Sequence, residues 1–540
     1  MMGKFVITYD TGTTGIKTCL IEIDKEIRII ASQTAGYSLR VDEETGVKGG
    51  AEQDADEWWQ AMCLTTKEVF RKAPGIEKEQ IEGISFCSAM QGFVPVDKEG
   101  NCIRRPMTYM DQRATEELKD GIAHGFQIAG ADATKLLKCL KYTGAAPLSV
   151  KDPVWKYKWL EKHEPENFKK LYKWLDVKEY LILRASGEFV MTTDSAFATL
   201  IYDTRKGHEG WCKPLCDMFG VNMDHLAKVM KCTDKVGEVT DKAAEELGLA
   251  PGTAVFGGGG DASLIGVGAG AVEIGDTHIY SGTSGWVSTV VDKQVVDTGA
   301  LMAATVGADP DAYNYFGELE TSNKCVSWVK DHLALDEIGV YLSHHASPSD
   351  SYEDIAVNLY DYLEEVIERA EPGSNGVVFT PWLHGNRCPF EDPNAAGMFF
   401  NIKLETGKTE LIRSVVEGIC FHMRWMLERQ DKKKEVHISN SVRFCGGGAL
   451  GAATCQILAD VLQRDVEVVD SPQNIGAVGA AALIAVGTGM IPTIRDVKKL
   501  IPAKVVYHPN KENKAVYDRN FKAFKNLYAC NKKNFEILNG

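Results

Sequence analysis

The sequence predicts a globular chain of mixed strands and helices, built as two halves that repeat one theme. An apolar run ends in Asp10, passes through a Thr/Gly turn and leaves as a second apolar run, "FVITYDTGTTGIKTCLIEID" at 5–24. "IYSGTSGWVSTVV" at 279–291 repeats that arrangement. A length of 540 residues leaves room for two to four domains at about 100–200 residues each.

Residues 5–30 read as two strands joined by the Gly/Thr turn, because β-branched and aromatic residues flank it on both sides. "AEQDADEWWQAMCLTTKEVFRKA", 51–73, places Trp58, Met62 and Val69 along one side of a helix. "IEGISFCSA", 81–89, reads as a buried strand running into "MQG". Residues 152–175 read as an aromatic-rich helix whose stripe belongs to a core. "TAVFGGGGDASLIGVGAGAV", 253–272, reads as a strand, a glycine turn carrying Asp261, and a small-residue helix. The domain boundary is placed there, giving domains 1–271 and 272–540. The second half then offers a strand–turn–strand at 278–291 and helices at 321–334, 351–371 and 409–430. "VRFCGGGALGAATCQILADVL" follows at 442–462. "IGAVGAAALIAVG", 475–487, reads as a buried helix, too short for the roughly 20 residues of a membrane span. "RQDKKKE", 429–435, reads as a solvated helix end and loop.

A net charge of −15 argues against a nucleic-acid binder, which usually shows a basic face. Residues 1–20 carry no basic stretch followed by an apolar core and cleavage site, so no secretory signal is expected. The 14 cysteines are scattered. The nearest pair, Cys212 and Cys216 in "CKPLC", has no second pair at zinc-site spacing, and reduced thiols in a cytoplasm fit best.

Backbone N–H groups at a glycine turn can approach phosphate oxygens, because no Cβ blocks them. Thr and Ser hydroxyls add donors. One such turn also suits an ordinary hairpin. Two of them, with a third cluster at Gly446–Gly448, point to loops around a triphosphate and its nucleoside. "TGKT" at 406–409 lacks the earlier glycine of a Walker loop, since Ile402 stands there, and Thr409 reads as a helix cap. "GVGAGA" at 266–271 follows small helical residues rather than a strand, which weakens a dinucleotide reading. Asp10 and Asp261 each end an apolar strand beside glycines. In phosphoryl transfer to an alcohol, one carboxylate can orient hydrated Mg²⁺ and another can accept the hydroxyl proton. A turn-forming aspartate is the plainer alternative at either position.

Taken in order, these segments resemble the FGGY carbohydrate kinases, most of all their xylulokinase branch, over almost the whole chain. The resemblance rests on "YDTGTTGIK" (9–17), "AEQDADEWW" (51–59), "AMQG" (89–92), "YMDQR" (109–113) and "GGGGDASLIGVGAG" (257–270). It continues through "YSGTSG" (280–285), "PWLHGNRCP" (381–389), "RSVVEGICF" (413–421), "FCGGGALGAATCQILADVL" and "IGAVGAAALIAVG".

The resemblance implies an α/β fold of two ribonuclease H-like, actin-like ATPase domains with an interdomain active-site cleft. It implies Asp261 as catalytic base, also touching sugar and metal, and Asp10 as the residue that positions Mg²⁺. ATP would be held by Thr11, Gly12, Thr13, Thr14 and Lys17, by Gly282 and Thr283, and by Gly447, Gly448 and Ala449. Met90, Gln91 and Asp111 would line the sugar pocket. The partners implied are a small sugar and ATP, with no nucleic acid and no membrane, and a homodimer stays open. The phosphate motifs are intact, while the sugar region departs from the usual xylulokinase pattern. Gln91 replaces His, Tyr109 and Met110 replace Trp and Asn, and Asn386 and Cys388 stand where Glu and Thr are common. D-Xylulose is the first expectation. Ribulose, erythritol or glycerol is the alternative within the same chemistry, and an actin- or chaperone-like ATPase is the alternative outside it.

Overall fold

The computed structural model of the chain describes residues 3–128, 130–334 and 362–540. The chain divides into two compact units, each built on one sheet.

In the first unit, β1 (Lys4–Thr11), β2 (Gly15–Ile23) and β3 (Ile27–Gly36) form a meander, so 5–30 holds the start of a third strand beyond the two expected. Helix α1 (Ala55–Lys72) starts at Asp54, whose carboxylate accepts the Asp56 N–H, and buries Trp58, Met62 and Val69 as its spacing requires. Strand β4 (Ile81–Ser88) pairs parallel to β1. The helix expected over 152–175 ends early. Helix α2 (Pro153–His163) stops before Pro165, and Lys173–Leu175 is a short strand. Its aromatics are core, as read: Trp155 and Tyr157 are buried, and Tyr157 stacks on Trp174. Helix α3 (Val177–Ser186) follows, then β5 (Lys235–Glu238), β6 (Ala254–Phe256), the two-residue β7 (Gly259–Gly260) and α4 (Asp261–Gly268). The sheet order is β5-β6-β4-β1-β2-β3, with β7 beside the end of β4.

The second unit repeats the core of that design. Strands β8 (Thr277–Ser281) and β9 (Gly285–Val291) form the hairpin. Next come β10 (Val296–Asp297), β11 (Met302–Val306), β12 (Tyr313–Leu319), α5 (Asn323–His332) and α6 (Lys408–Asp431). Of the helix expected at 351–371, residues 351–361 lie outside the described residues and 362–369 are helical. Strand β13 (Ser441–Cys445) pairs parallel to β8, as β4 does to β1. Helix α7 (Ala452–Leu462), β14 (Asp465–Val469), α8 (Ile475–Gly487), β15 (Ala503–Tyr507) and α9 (Lys514–Asn539) complete the chain. This sheet runs β10-β11-β12-β9-β8-β13-β14-β15.

The units do not divide simply at 271/272. The first comprises 1–272 together with 305–313 and 475–501, and the second takes the remainder. Helix α8 therefore belongs with the first unit, where it packs on β4, β1, β2 and α4. A Cβ at Gly268 would stand 1.8 Å from the Ile475 carbonyl oxygen, and one at Gly479 would stand 2.4 Å from that of Leu264. Glycine lets α4 and α8 cross at backbone contact, which is the structural use of the "GVGAGA" run. Among the described residues no helix is long and apolar enough to cross a membrane.

Candidate active site

The first hairpin closes with the Gly12 N–H donating to the Gly15 carbonyl at 2.9 Å. A Cβ at Gly15 would meet the Ala35 carbonyl oxygen at 2.7 Å, so the neighbouring β3 requires glycine there. The turn is held from outside. The Gln53 Nε2 donates to the Thr13 carbonyl at 2.6 Å, Thr13 Oγ1 shares a 3.1 Å hydrogen bond with the Tyr109 hydroxyl, and the Tyr37 hydroxyl donates to the Gly12 and Gly15 carbonyls. Gly12 and Thr14 remain exposed.

Asp10 lies opposite Lys17 in the hairpin and opposite Cys87 in β4. Burial around its carboxyl pushes its pKa up, against the pull of Lys17 and the Cys87 thiol. Glycine at the second residue of α8 is required there too, since a Cβ at Gly476 would stand 2.8 Å from Asp10 Oδ2. The N-terminus of α8 therefore abuts this carboxylate, with a favourable dipole.

Asp261 reaches the same end of the sheet from the other side. Gly259 pairs with Cys87 and Gly260 with Ser88, so β4 separates β7 from β1, a span of about 10 Å at normal strand spacing. Asp261 begins α4, and its Oδ1 accepts the Ala262 N–H at 2.8 Å. Cys87 feels both carboxylates. After burial, the charges of Asp10 and Asp261 are the chief causes that hold its thiol well above the usual range. A Cβ at Gly260 would collide with Met90 at 2.1 Å, which places Met90 against the turn.

A pocket opens beside these groups. It is lined by Thr11, Gly12 and Thr13 of the hairpin, Ala89, Met90 and Gly92 after β4, and Gln53, Thr108, Tyr109 and Val177. None of these side chains is charged. Gln91 adopts a left-handed φ of 65° and its amide donates to Asp152 at 3.3 Å, which leaves Met90 and Gly92 on the wall. Lys156 is fully buried, and its Nζ donates to the carbonyls of Gln91 and Thr108, each at 2.8 Å. Burial lowers its pKa to about 8, against the pull of Asp111, Asp176 and Asp152. Asp111 departs from expectation. It is wholly buried, Arg113 donates to both its oxygens, and its Oδ2 also accepts the Ala51 N–H at 2.7 Å. With its oxygens so engaged it stands behind the wall rather than on it. Met110 is not on the wall either, and Asn386 and Cys388 sit in a turn of the second unit, where Asn386 Nδ2 donates to the Cys388 and Phe390 carbonyls.

In the second unit the Gly282 N–H donates to the Ser284 carbonyl at 2.9 Å, repeating the first turn. The Ser322 and Asn323 N–H groups at the start of α5 donate to the Thr283 and Gly282 carbonyls. Thr283 and Gly447 are exposed, while Gly448 and Ala449 are buried. Gly446 needs its φ of +88°, and a Cβ there would stand 2.5 Å from the Ser281 carbonyl oxygen. The glycine cluster thus rests on the end of the hairpin. "TGKT" is a helix start, as read, but Gly407 rather than Thr409 is the cap, and Glu410 accepts the Gly407 N–H at 3.0 Å.

Sequence reasoning missed Lys156 and also Asp194, whose buried carboxylate accepts the Gly260 N–H at 2.7 Å just before Asp261. A lysine inside the aromatic run "VWKYKW" was a usable signal for the first, since a buried ammonium must find acceptors. "TTDSAF" offered none for the second.

Paired hairpins, each with a parallel strand ending in a turn, define a duplicated α/β fold of the actin-like ATPase type. The chain belongs to the FGGY family of carbohydrate kinases: residues 5–268 match its N-terminal domain and 278–488 its C-terminal domain. Xylulose kinase of Staphylococcus epidermidis is 27% identical over 98% of this chain and 97% of its own length. Gluconokinase of Bacillus subtilis is 25% identical over 97% and 96%. The solved structure of ligand-bound xylulose kinase from Lactobacillus acidophilus has a TM-score of 0.81 at 24% identity, covering 99% of both chains. That of gluconate kinase from the same organism scores 0.80 at 24% identity, covering 98% of both. The chain is therefore a sugar kinase, and the reading as an ATPase without sugar kinase activity falls away.

Proposed function

We propose that this kinase phosphorylates the primary hydroxyl of a neutral ketose, D-xylulose first. The uncharged pocket supports this most directly. A sugar acid brings a carboxylate that would need a cation or several aimed donors, and no lining residue is a lysine or arginine. Gln53, Thr108 and Tyr109 supply donors and acceptors matched to hydroxyls.

Asp261 accepts the proton of the attacking hydroxyl. Thr11 to Thr14 and Lys17 on one hairpin, and Gly282 and Thr283 on the other, take the phosphates of ATP. Gly447, Gly448 and Ala449 take the nucleoside side. Asp10 and Asp261 are oxygen donors of the kind Mg²⁺ prefers, and a divalent ion suits a carboxylate that burial otherwise makes reluctant to ionise. When bound, the ion offsets charge on the transferring phosphoryl group. Met90 shapes the pocket, while Gln91 and Asp111 hold its wall from behind.

The test is ATP turnover on D-xylulose, D-ribulose, erythritol, glycerol and D-gluconate. The highest kcat/KM is expected for D-xylulose. D-Gluconate or glycerol as by far the best substrate would overturn the assignment.

A further inference from the structure

We propose that Asp194 is a positioning residue that fixes the glycine turn carrying Asp261. This rests on the reading of Asp261 as the base. The turn has a physical difficulty. Gly257 to Gly260 have no side chains to anchor them, and glycine has the widest backbone freedom. Larger residues cannot replace them. A Cβ at Gly258, whose φ is +67°, would stand 2.2 Å from the Phe86 carbonyl oxygen, and one at Gly260 would strike Met90. The turn must be fixed through its N–H groups instead. Gly257 and Gly258 donate to the carbonyls of Asp234 and Cys232. The last N–H before the base, that of Gly260, donates to Asp194 Oδ2 at 2.7 Å.

Asp194 is fully buried and ringed by donors. The Thr192 hydroxyl reaches Oδ1 at 2.5 Å, the Ser195 N–H at 2.9 Å and the Cys232 thiol at 3.3 Å, and the Ser263 hydroxyl also bonds to the carboxylate. Only an ionised carboxylate accepts at both oxygens without presenting a hydrogen. Lys178, also fully buried, supplies the opposing charge at one remove. Its Nζ pairs with Glu179 and donates to the Thr192 and Ser195 hydroxyls at 2.6 and 2.7 Å. With Thr192 accepting from Lys178, its own hydrogen is free to turn to Asp194. Ser263 lies in the first turn of α4, so Asp194 grips the chain on both sides of Asp261.

The variant is Asp194→Asn, which keeps the shape and replaces one accepting oxygen by an NH₂ that faces donors. A small shift at a reacting group costs on the order of 10²-fold in rate, so kcat for D-xylulose phosphorylation should fall about 10- to 100-fold. KM for sugar and for ATP should stay within about threefold, since no group that contacts either is removed. Hydrogen exchange of the peptide spanning 257–264 should quicken. In an Asp261→Asn background the second substitution should cost little more, because residues that act as one unit are not additive. Should Asp194→Asn fail to fold, Thr192→Val removes the hydroxyl link at equal volume and should give a smaller kcat loss with KM held. Unchanged kcat in the folded variant, or a loss carried wholly by KM, overturns the positioning role. Near-normal turnover of Asp261→Asn alone would instead remove the base on which it rests.

Discussion

Lys156 carries its ammonium into full burial and holds two backbone carbonyls with it, those of Thr108 on the pocket wall and of Gln91 between the wall residues Met90 and Gly92. Lys156→Met leaves the Gln91 carbonyl without its side-chain donor, while the Thr108 carbonyl keeps the Asp111 N–H, and it removes one cation from beside Asp111, Asp176 and Asp152. At about 1–3 kcal/mol per unsatisfied buried group, a loss of about 1–3 kcal/mol is expected in denaturant melts. Sugar KM should rise while ATP KM holds, and equal shifts in both would deny the pocket link. Gln91 is the second residue to test. Its amide already bonds to Asp152, and an imidazole there would face the same carboxylate. Gln91→His should raise the kcat/KM ratio of D-xylulose over glycerol and erythritol by reshaping the wall that Gln91 holds from behind, between Met90 and Gly92. An unchanged ratio means that position 91 does not read the sugar. Asp10 and Asp261 stand out in the sequence as carboxylates beside glycines at strand ends, and the strand pairing sets both at one end of the sheet, on either side of Cys87. The burial of Asp111 was not legible, since its partners Arg113 and Ala51 are fixed by chain tracing that no local pattern reports.

At the scale of elements, strand β8 and helix α6 each bury a neutral histidine. The Trp286 indole N–H donates to His278 Nε2 at 3.0 Å, and the Trp382 indole N–H donates to His422 Nδ1 at 3.2 Å, while His422 Nε2 donates to the Cys388 carbonyl. Protonation would set donor against donor at both. Burial lowers the pKa of His278 to about 3; burial also lowers that of His422, to about 4, with the Cys388 carbonyl opposing. Both values lie below the unfolded 6.5, so their stability is complete above about pH 6.5 and is lost as pH falls toward about 4 for His422 and about 3 for His278. Thermal melts should fall across that window, and His278→Gln, which keeps an acceptor for Trp286, should flatten the slope. An unaltered slope would show that His278 does not titrate there. Elements with a clean period were legible: α1, the hairpins, and the strand–glycine–helix passages at 254–268 and 441–462. The end of α2 was not, because aromatics continue past Pro165 into a strand and keep the same apolar density.

For the whole molecule, the return of 475–501 to the first unit has a direct consequence for folding. Helix α8 buries Ile475, Val478, Leu483 and Ile484, each stabilising by about 1.5–3 kcal/mol, against a net domain stability of about 5–15 kcal/mol. Residues 1–272 alone should therefore expose the sheet face that α8 covers, bind hydrophobic dye and melt without cooperativity. Joining 475–501 through a flexible linker should restore a cooperative melt, and a well-folded 1–272 fragment would refute this. Sequence order suggested two contiguous halves, because nothing in "IGAVGAAALIAVG" marks which sheet it covers. The chemistry that these units carry is tested most directly at Asp261. Sugar-dependent ATP turnover by Asp261→Asn should fall by at least about 10²-fold, as loss of a general base requires, with ATP binding retained by titration calorimetry. Near-normal phosphorylation of D-xylulose by the folded variant would contradict the assignment of the base.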